Sequence, residues 1–221
     1  MITTLAPILS TLSVKLKEKT ADVSTDRISA AISAIRLLLS EHKFSWARKS
    51  FTLDVDVGVQ EYDLVTEATD YCETWGIYEV YVGGVKIDPI PYENRNNTDN
   101  TNWYLTPDNK SIGFTSDILG TESIVIWYYA TIPTASEPAT SAVTLNLSIP
   151  ENVKEAIVYA AKAIVHESKR QRNDARNSWL IYQTEKEKAV QSSASNKAKG
   201  LPKFIPNVLS YTGFRRRYTV V

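Results

Sequence analysis

The feature that most constrains this chain is a change of hydrophobic period that happens twice. Before residue 42 the apolar residues recur at helical spacing. From Ser50 the period becomes two, with Phe51, Leu53, Val55 and Val57 alternating with Thr52, Asp54 and Asp56, so one side of an extended chain is apolar and the other polar. After Pro150 the helical spacing returns. Helices on both sides of about a hundred residues of strand pattern read as an α+β fold.

The helical parts can be placed in more detail. Leu5, Ile8, Leu9, Leu12 and Leu16 predict a first helix ending near Thr20, with Pro7 in its first turn. Ile28, Ala31, Ile32, Ile35, Leu38 and Leu39 predict a second over 25–41. Ser24 and Thr25 are its candidate caps, and Arg27, Ser33 and Arg36 form its polar face. After Pro150, Val153, Ala156, Ile157, Ala160, Ala161 and Ile164 mark a third, to about Arg170. Asn173 and Asp174 then cap a fourth, with Ala175, Trp179, Tyr182 and Ala189 on its apolar stripe to about Gln191. No helix pair can bury its faces alone, so the four are expected to form one bundle.

Between them lie EYDLV, IYEVYV at 77–82, Gly83-Gly84, VKI, WYL at 103–105, IGF at 112–114 and SIVIWYY at 123–129. Two glycines between strand-like runs signal a tight hairpin. The set predicts an antiparallel β-sandwich or barrel-like insertion, with 93–102 as an exposed loop. The expected divisions are therefore 1–50 and 148–191 for the two halves of a four-helix bundle, 51–147 for the β insertion, and 192–221 for a flexible linker and C-terminal arm.

The chain has 25 basic and 25 acidic residues among 221, but the balance conceals a separation. Residues 1–50 carry eight bases against four acids, and 51–147 carry three bases against 15 acids. Residues 148–191 carry eight bases against six acids, and 192–221 carry six bases with no acid. Such a dipolar chain favours oriented or head-to-tail contacts over uniform binding to a polyanion.

Catalytic and metal signals are sparse. His42 and His166 lack a carboxylate or cysteine at ligand spacing, and Gly83-Gly84 lacks the rest of a phosphate loop. Asp54 and Asp56 match no calcium loop, and read as a solvated strand face. The lone Cys72 reads as a small half-buried hydrophobe, and the Asn96 and Asn146 sequons carry no meaning without secretion. No enzyme activity, cofactor or metal is expected. No apolar run is long enough to span a bilayer, and MITTLAPILS lacks the marks of a signal peptide, so a soluble, cytoplasmically made protein is expected. Trp75, Trp103 and Trp127 concentrate in the β region, where cross-strand packing competes with an aromatic surface for carbohydrate. The acidity of that region opposes nucleic acid.

The C-terminal arm is the candidate binding segment. It combines Arg215, Arg216 and Arg217 with Phe204, Ile205, Val208, Leu209, Tyr211, Phe214, Tyr218 and Val220. Arginine with aromatics is the composition of interface hot spots, and it favours burial in a protein partner over a nucleic-acid clamp.

Three features carry a resemblance: FTLDVDVGVQEYDLV after the 25–41 helix, Gly58–Val65 as a G-x-x-x-Y-D-L-P-like entry with valine for the proline, and the Ile149-Pro150 step before SIPENVKEAIVYAAKAIVHESKRQRNDA. In layout, over about 24–190, the chain resembles the head-to-tail adaptor (connector, neck) proteins of tailed bacteriophages. The resemblance implies a non-catalytic virion protein that forms a ring of about twelve copies beneath the portal. It also implies a DNA passage without specific DNA binding, a contact with the next tail component, and a C-terminal segment extended into the portal. No membrane contact is implied.

Overall fold

The structure is a computed structural model that describes residues 1–17, 25–54, 59–96, 100–116, 123–133 and 144–197. In chain order its elements are β1 (Ile2–Thr4), α1 (Ala6–Lys15), α2 (Thr25–Glu41), β2 (Arg48–Leu53), β3 (Glu61–Asp63), α3 (Leu64–Glu67), β4 (Ile77–Val82) and β5 (Val85–Ile87). They continue with β6 (Trp103–Leu105), β7 (Ser111–Phe114), β8 (Ile124–Tyr129), β9 (Thr144–Ile149), α4 (Lys154–Ser168) and α5 (Arg172–Lys197).

The helix α4 is the centre of the helical layer, packing against α5, α2 and α1. Its sequence permits this: Ala156, Ala160, Ala161 and Ala163 are buried with Ile157, Val158 and Val165, and short side chains let neighbouring helix axes approach. Pro7 lies in the first turn of α1, where no intrahelical N–H is required. The α4–α5 corner turns on Arg170, whose φ of 57° is left-handed, while the Lys169 and Gln171 N–H groups bond back to the Val165 and His166 carbonyls. α1 is tied to α4 by the Lys15 Nζ–Glu155 ion pair at 2.7 Å.

Among the described residues three antiparallel sheets form, in the orders β1-β9, β2-β8-β4-β5 and β3-β7-β6, and none of them closes into a barrel. In the four-stranded sheet, Val80 pairs with Ile126 and Leu53 with Ile124, and all four are buried. The β4–β5 hairpin turns on Gly83 and Gly84, at φ 56° and 81°, with Val82 opposite Val85. Two successive left-handed residues match the twist of the paired strands, as a two-residue hairpin requires. One hydrophobic core runs from Ile8, Ile35 and Ile157 in the helices to Val80, Ile126 and Phe114 in the sheets.

Several expectations are corrected. In EYDLV only Glu61–Asp63 is strand. The Asp63 carboxylate accepts from the Val65 N–H at 2.8 Å and the Thr66 N–H at 3.3 Å, capping the short α3 instead. VTLNLSIP contains the strand β9, which pairs with β1 at the chain start, an element not expected from sequence. Pro150 caps a 3-10 turn at Glu151–Val153, and α4 starts only after it. α5 begins at Arg172, placing Asn173 and Asp174 within its first turn, and it continues to Lys197, so the linker expected from 192 is helical at its start. The polar face of α2 is partly enclosed. Arg27 is buried and donates to the Ser13 hydroxyl, and Arg36 donates to the Ile132 and Pro133 carbonyls, while Ser33 alone of the three is exposed. Val55, Asp56, Val57, Gly58 and Ser24 lie outside the described residues.

Candidate functional site

The arm residues singled out from sequence, Phe204 to Val220, lie outside the described residues. The described surface offers two other places where a partner can engage, both poorly marked in the sequence.

The first lies where α2 gives way to β2. The stretch His42-Lys43-Phe44-Ser45-Trp46-Ala47-Arg48 leaves the helix, makes a 3-10 turn at Ser45–Ala47 and enters the sheet. Phe44 is fully buried and stacks on Trp46 at 5.2 Å between ring centroids, which anchors the turn. With Phe44 pointing inward, Lys43 and Arg48 fall on one side, and together with His42, Tyr78, Tyr129 and Ser193 they line a cleft of about 510 Å3. The Arg48 guanidinium carbon sits 3.8 Å from the centre of the Tyr78 ring, and an Nη donates to the Tyr129 hydroxyl at 3.2 Å. The Lys43 ammonium is 5.1 Å from the Trp75 ring and 5.7 Å from Tyr129. Both cations are therefore held by aromatic faces. Arg48 also borders a shallower apolar groove of about 570 Å3 on the outer face of the sheet, with Tyr78, Tyr81, Val125 and the exposed Trp127.

The second place is the outer side of α5. Leu180 is 61% exposed beside Arg172, Arg176 and Trp179, whose indole N–H donates to Glu167, and the next residue, Ile181, is 40% exposed. Large apolar side chains left in water beside arginine and tryptophan have the composition of a contact surface.

Behind the sheet, buried Asp70 joins four segments. Its carboxylate accepts from Lys49 Nζ at 2.5 Å, the Tyr128 hydroxyl at 2.6 Å and Asn146 Nδ2 at 2.7 Å, and Asn146 also donates to the Thr131 carbonyl. Burial alone would raise the pKa of Asp70, but the bonds from Lys49, Tyr128 and Asn146 outweigh it and hold the group below its ordinary value. Three donors from separate strands converge on this one carboxylate, which marks it as a structural junction, binding β9 to the four-stranded sheet.

The other residues read from sequence fall as follows. Trp103 is buried, with its indole N–H donating to the Ile87 carbonyl at 3.2 Å, and Trp75 donates to the Leu39 carbonyl at 2.5 Å. Trp127 is thus separated in role from the other two, and the three make no common aromatic platform. Cys72 is buried. His166 Nδ1 lies 2.5 Å from Gln171 Oε1 at the α4–α5 corner, and Asp54 is exposed. Among the described residues no group of three or more His, Cys, Asp or Glu is placed to hold a metal ion, and no helix is long and apolar enough to cross a membrane.

The described residues thus form an α+β chain with antiparallel sheets, a helical layer and two open surfaces that carry exposed apolar and cationic side chains. A family model described as SU10 adaptor protein matches residues 3–199, nearly the whole chain, and the protein belongs to that family of bacteriophage head-to-tail adaptors. Membership makes it a structural protein of the virion that contacts other head and tail proteins. No curated protein matches the chain.

Proposed function

We propose that this chain forms a homo-oligomeric ring of about twelve copies that joins the portal to the tail and leaves a channel for DNA passage. The observation that carries the reading is the family match across residues 3–199. Charge separation supports it: a molecule with its acids in 51–147 and its C-terminal bases in 192–221 makes head-to-tail contacts more readily than symmetric ones. The helices of 1–50 and 148–191 act as one four-helix bundle around the channel, and the 51–147 region projects towards the next tail component. Residues 204–221 dock into the portal, with Arg215, Arg216 and Arg217 meeting acidic groups and Phe214, Tyr218 and Val220 filling pockets. A channel that must pass DNA cannot hold phosphate tightly, so the basic arm works best buried in protein.

The test is removal of residues 200–221. The truncated chain is expected to keep its body folded and to lose attachment to portal-containing capsids. Normal attachment by the truncated chain contradicts the docking role.

A further inference from the structure

We propose that the cleft between α2, β2 and the end of α5 is a receptor for carboxylate side chains of an acidic protein segment. Four observations combine. First, two basic side chains, Lys43 and Arg48, face one cavity of about 510 Å3, and none of the residues lining it is acidic. Second, neither cation makes a hydrogen bond or close ion pair with a carboxylate among the described residues. Lys43 meets only ring faces, Arg48 gives one N–H to the Tyr129 hydroxyl, and the Arg48 Nε is buried without an acceptor. Glu79, across the adjoining groove, feels the Arg48 charge without touching it, and its direct contacts are with Lys86 at 2.8 Å and the Tyr81 hydroxyl. Third, the cations are positioned before any ligand arrives. The Arg48 guanidinium carbon sits over the Tyr78 ring at 3.8 Å and an Nη is held by the Tyr129 hydroxyl, so less side-chain freedom remains to be lost on binding. Fourth, Phe44 and Trp46 fix the turn that carries both residues, placing the site on a rigid support.

The ligand class follows from charge on two length scales. Within the cleft, an oriented guanidinium and an ammonium suit carboxylates through short, charge-assisted hydrogen bonds. Over longer distances the 51–147 region, with 15 acids against three bases, repels a polyanion with regularly spaced phosphates. A peptide with a few carboxylates needs only the local cations and can lay its apolar atoms on Tyr78 and Tyr129. An acidic protein segment therefore fits better than a nucleic acid, and the assignment holds whether or not the chain forms a ring.

The test is titration of the full-length chain with an acetylated peptide carrying two or three glutamates among neutral residues and, separately, with single-stranded oligothymidylate, at low salt, followed by intrinsic tryptophan fluorescence and calorimetry. Saturable peptide binding is expected, weakened about tenfold or more by Lys43→Ala and by Arg48→Lys, and unchanged by Lys110→Ala on the exposed turn before β7. Lys43→Ala touches only ring faces, so unchanged thermal melting of that variant separates lost binding from lost fold. Absence of saturable peptide binding, or binding indifferent to both cleft variants, overturns the proposal. Tighter oligothymidylate binding abolished by the same variants also overturns it, and assigns the cleft to nucleic acid.

Discussion

The Tyr182 hydroxyl on α5 donates to the carboxylate of Glu41, the last residue of α2. Lys186, one turn further along α5, pairs with the same Glu41 oxygen at 2.9 Å. α5 otherwise packs mainly on α4, so this contact fixes its sideways position against the end of α2 and, through the next residues, beside the cleft. Burial, with the Glu41 carboxylate second, pushes the Tyr182 hydroxyl well above the ordinary phenol range, and it remains a donor at any working pH.

Tyr182→Phe is expected to destabilise the fold by about 1–2 kcal/mol, the loss of a hydrogen bond to a charged acceptor that Lys186 still partly satisfies. Tyr182→Ala is expected to cost about 3–5 kcal/mol because it also leaves a cavity. Urea unfolding followed by circular dichroism reads both, and equal values for the two variants contradict this division.

The Asp70 junction gives a pH dependence of definite sign. Its folded pKa lies below the ordinary 3.8, so the unfolded chain takes up the proton first as acid is added. The stabilisation is fully present above the ordinary value and is lost as pH falls through the lower folded value. Asp70→Asn is expected to cost about 3 kcal/mol at neutral pH, since Lys49 is left half-buried without its partner. The variant should also flatten the loss of stability below pH 4. Parallel acid-unfolding curves for the two proteins are the contrary result.

Gly113 on β7 has no room for a side chain. An added Cβ would stand 2.2 Å from the Tyr104 ring, which is buried and hydrogen-bonded to Glu61 at 3.1 Å. Burial, then Glu61, pushes that hydroxyl up to about 12. Gly113→Ala is expected to cost about 1–3 kcal/mol. In a Tyr104→Val background the same change should cost far less, and a full cost there would place the clash elsewhere.

Long periodic elements were legible in sequence, and special local chemistry was not. The α2 helix was read correctly at 25–41, and the Gly83-Gly84 hairpin followed from backbone freedom alone. The strand β1 is only three residues long and exists because β9 pairs with it across the chain, a tertiary cause that no local pattern reports. α3 was hidden because Leu64 and Val65 look extended until the Asp63 carboxylate caps them. α5 runs past Gln191 because neutral small residues continue a helix that is already nucleated. The cleft was missed because its members come from 42–48, 77–78, 129 and 193, and its only sequence trace is two cations flanking Phe44 and Trp46. The arm, the strongest compositional signal, lies outside the described residues.

The tryptophans give a direct check on which aromatic surface is open. Trp103→Ala is expected to cost about 3–5 kcal/mol, as for a core aromatic, whereas Trp127→Ser should change stability by less than about 1 kcal/mol. Quenching by acrylamide should fall markedly in the Trp127 variant. Equal destabilisation by the two changes contradicts the assignment of core and surface.

The most direct test of the adaptor account is an image reconstruction of the assembled virion with this chain traced in the density. The account predicts a ring of copies between the capsid vertex and the tail, with residues 204–221 inserted in the portal and an open channel on the axis. Density for the chain elsewhere in the particle, or at the neck with the arm directed away from the portal, contradicts it.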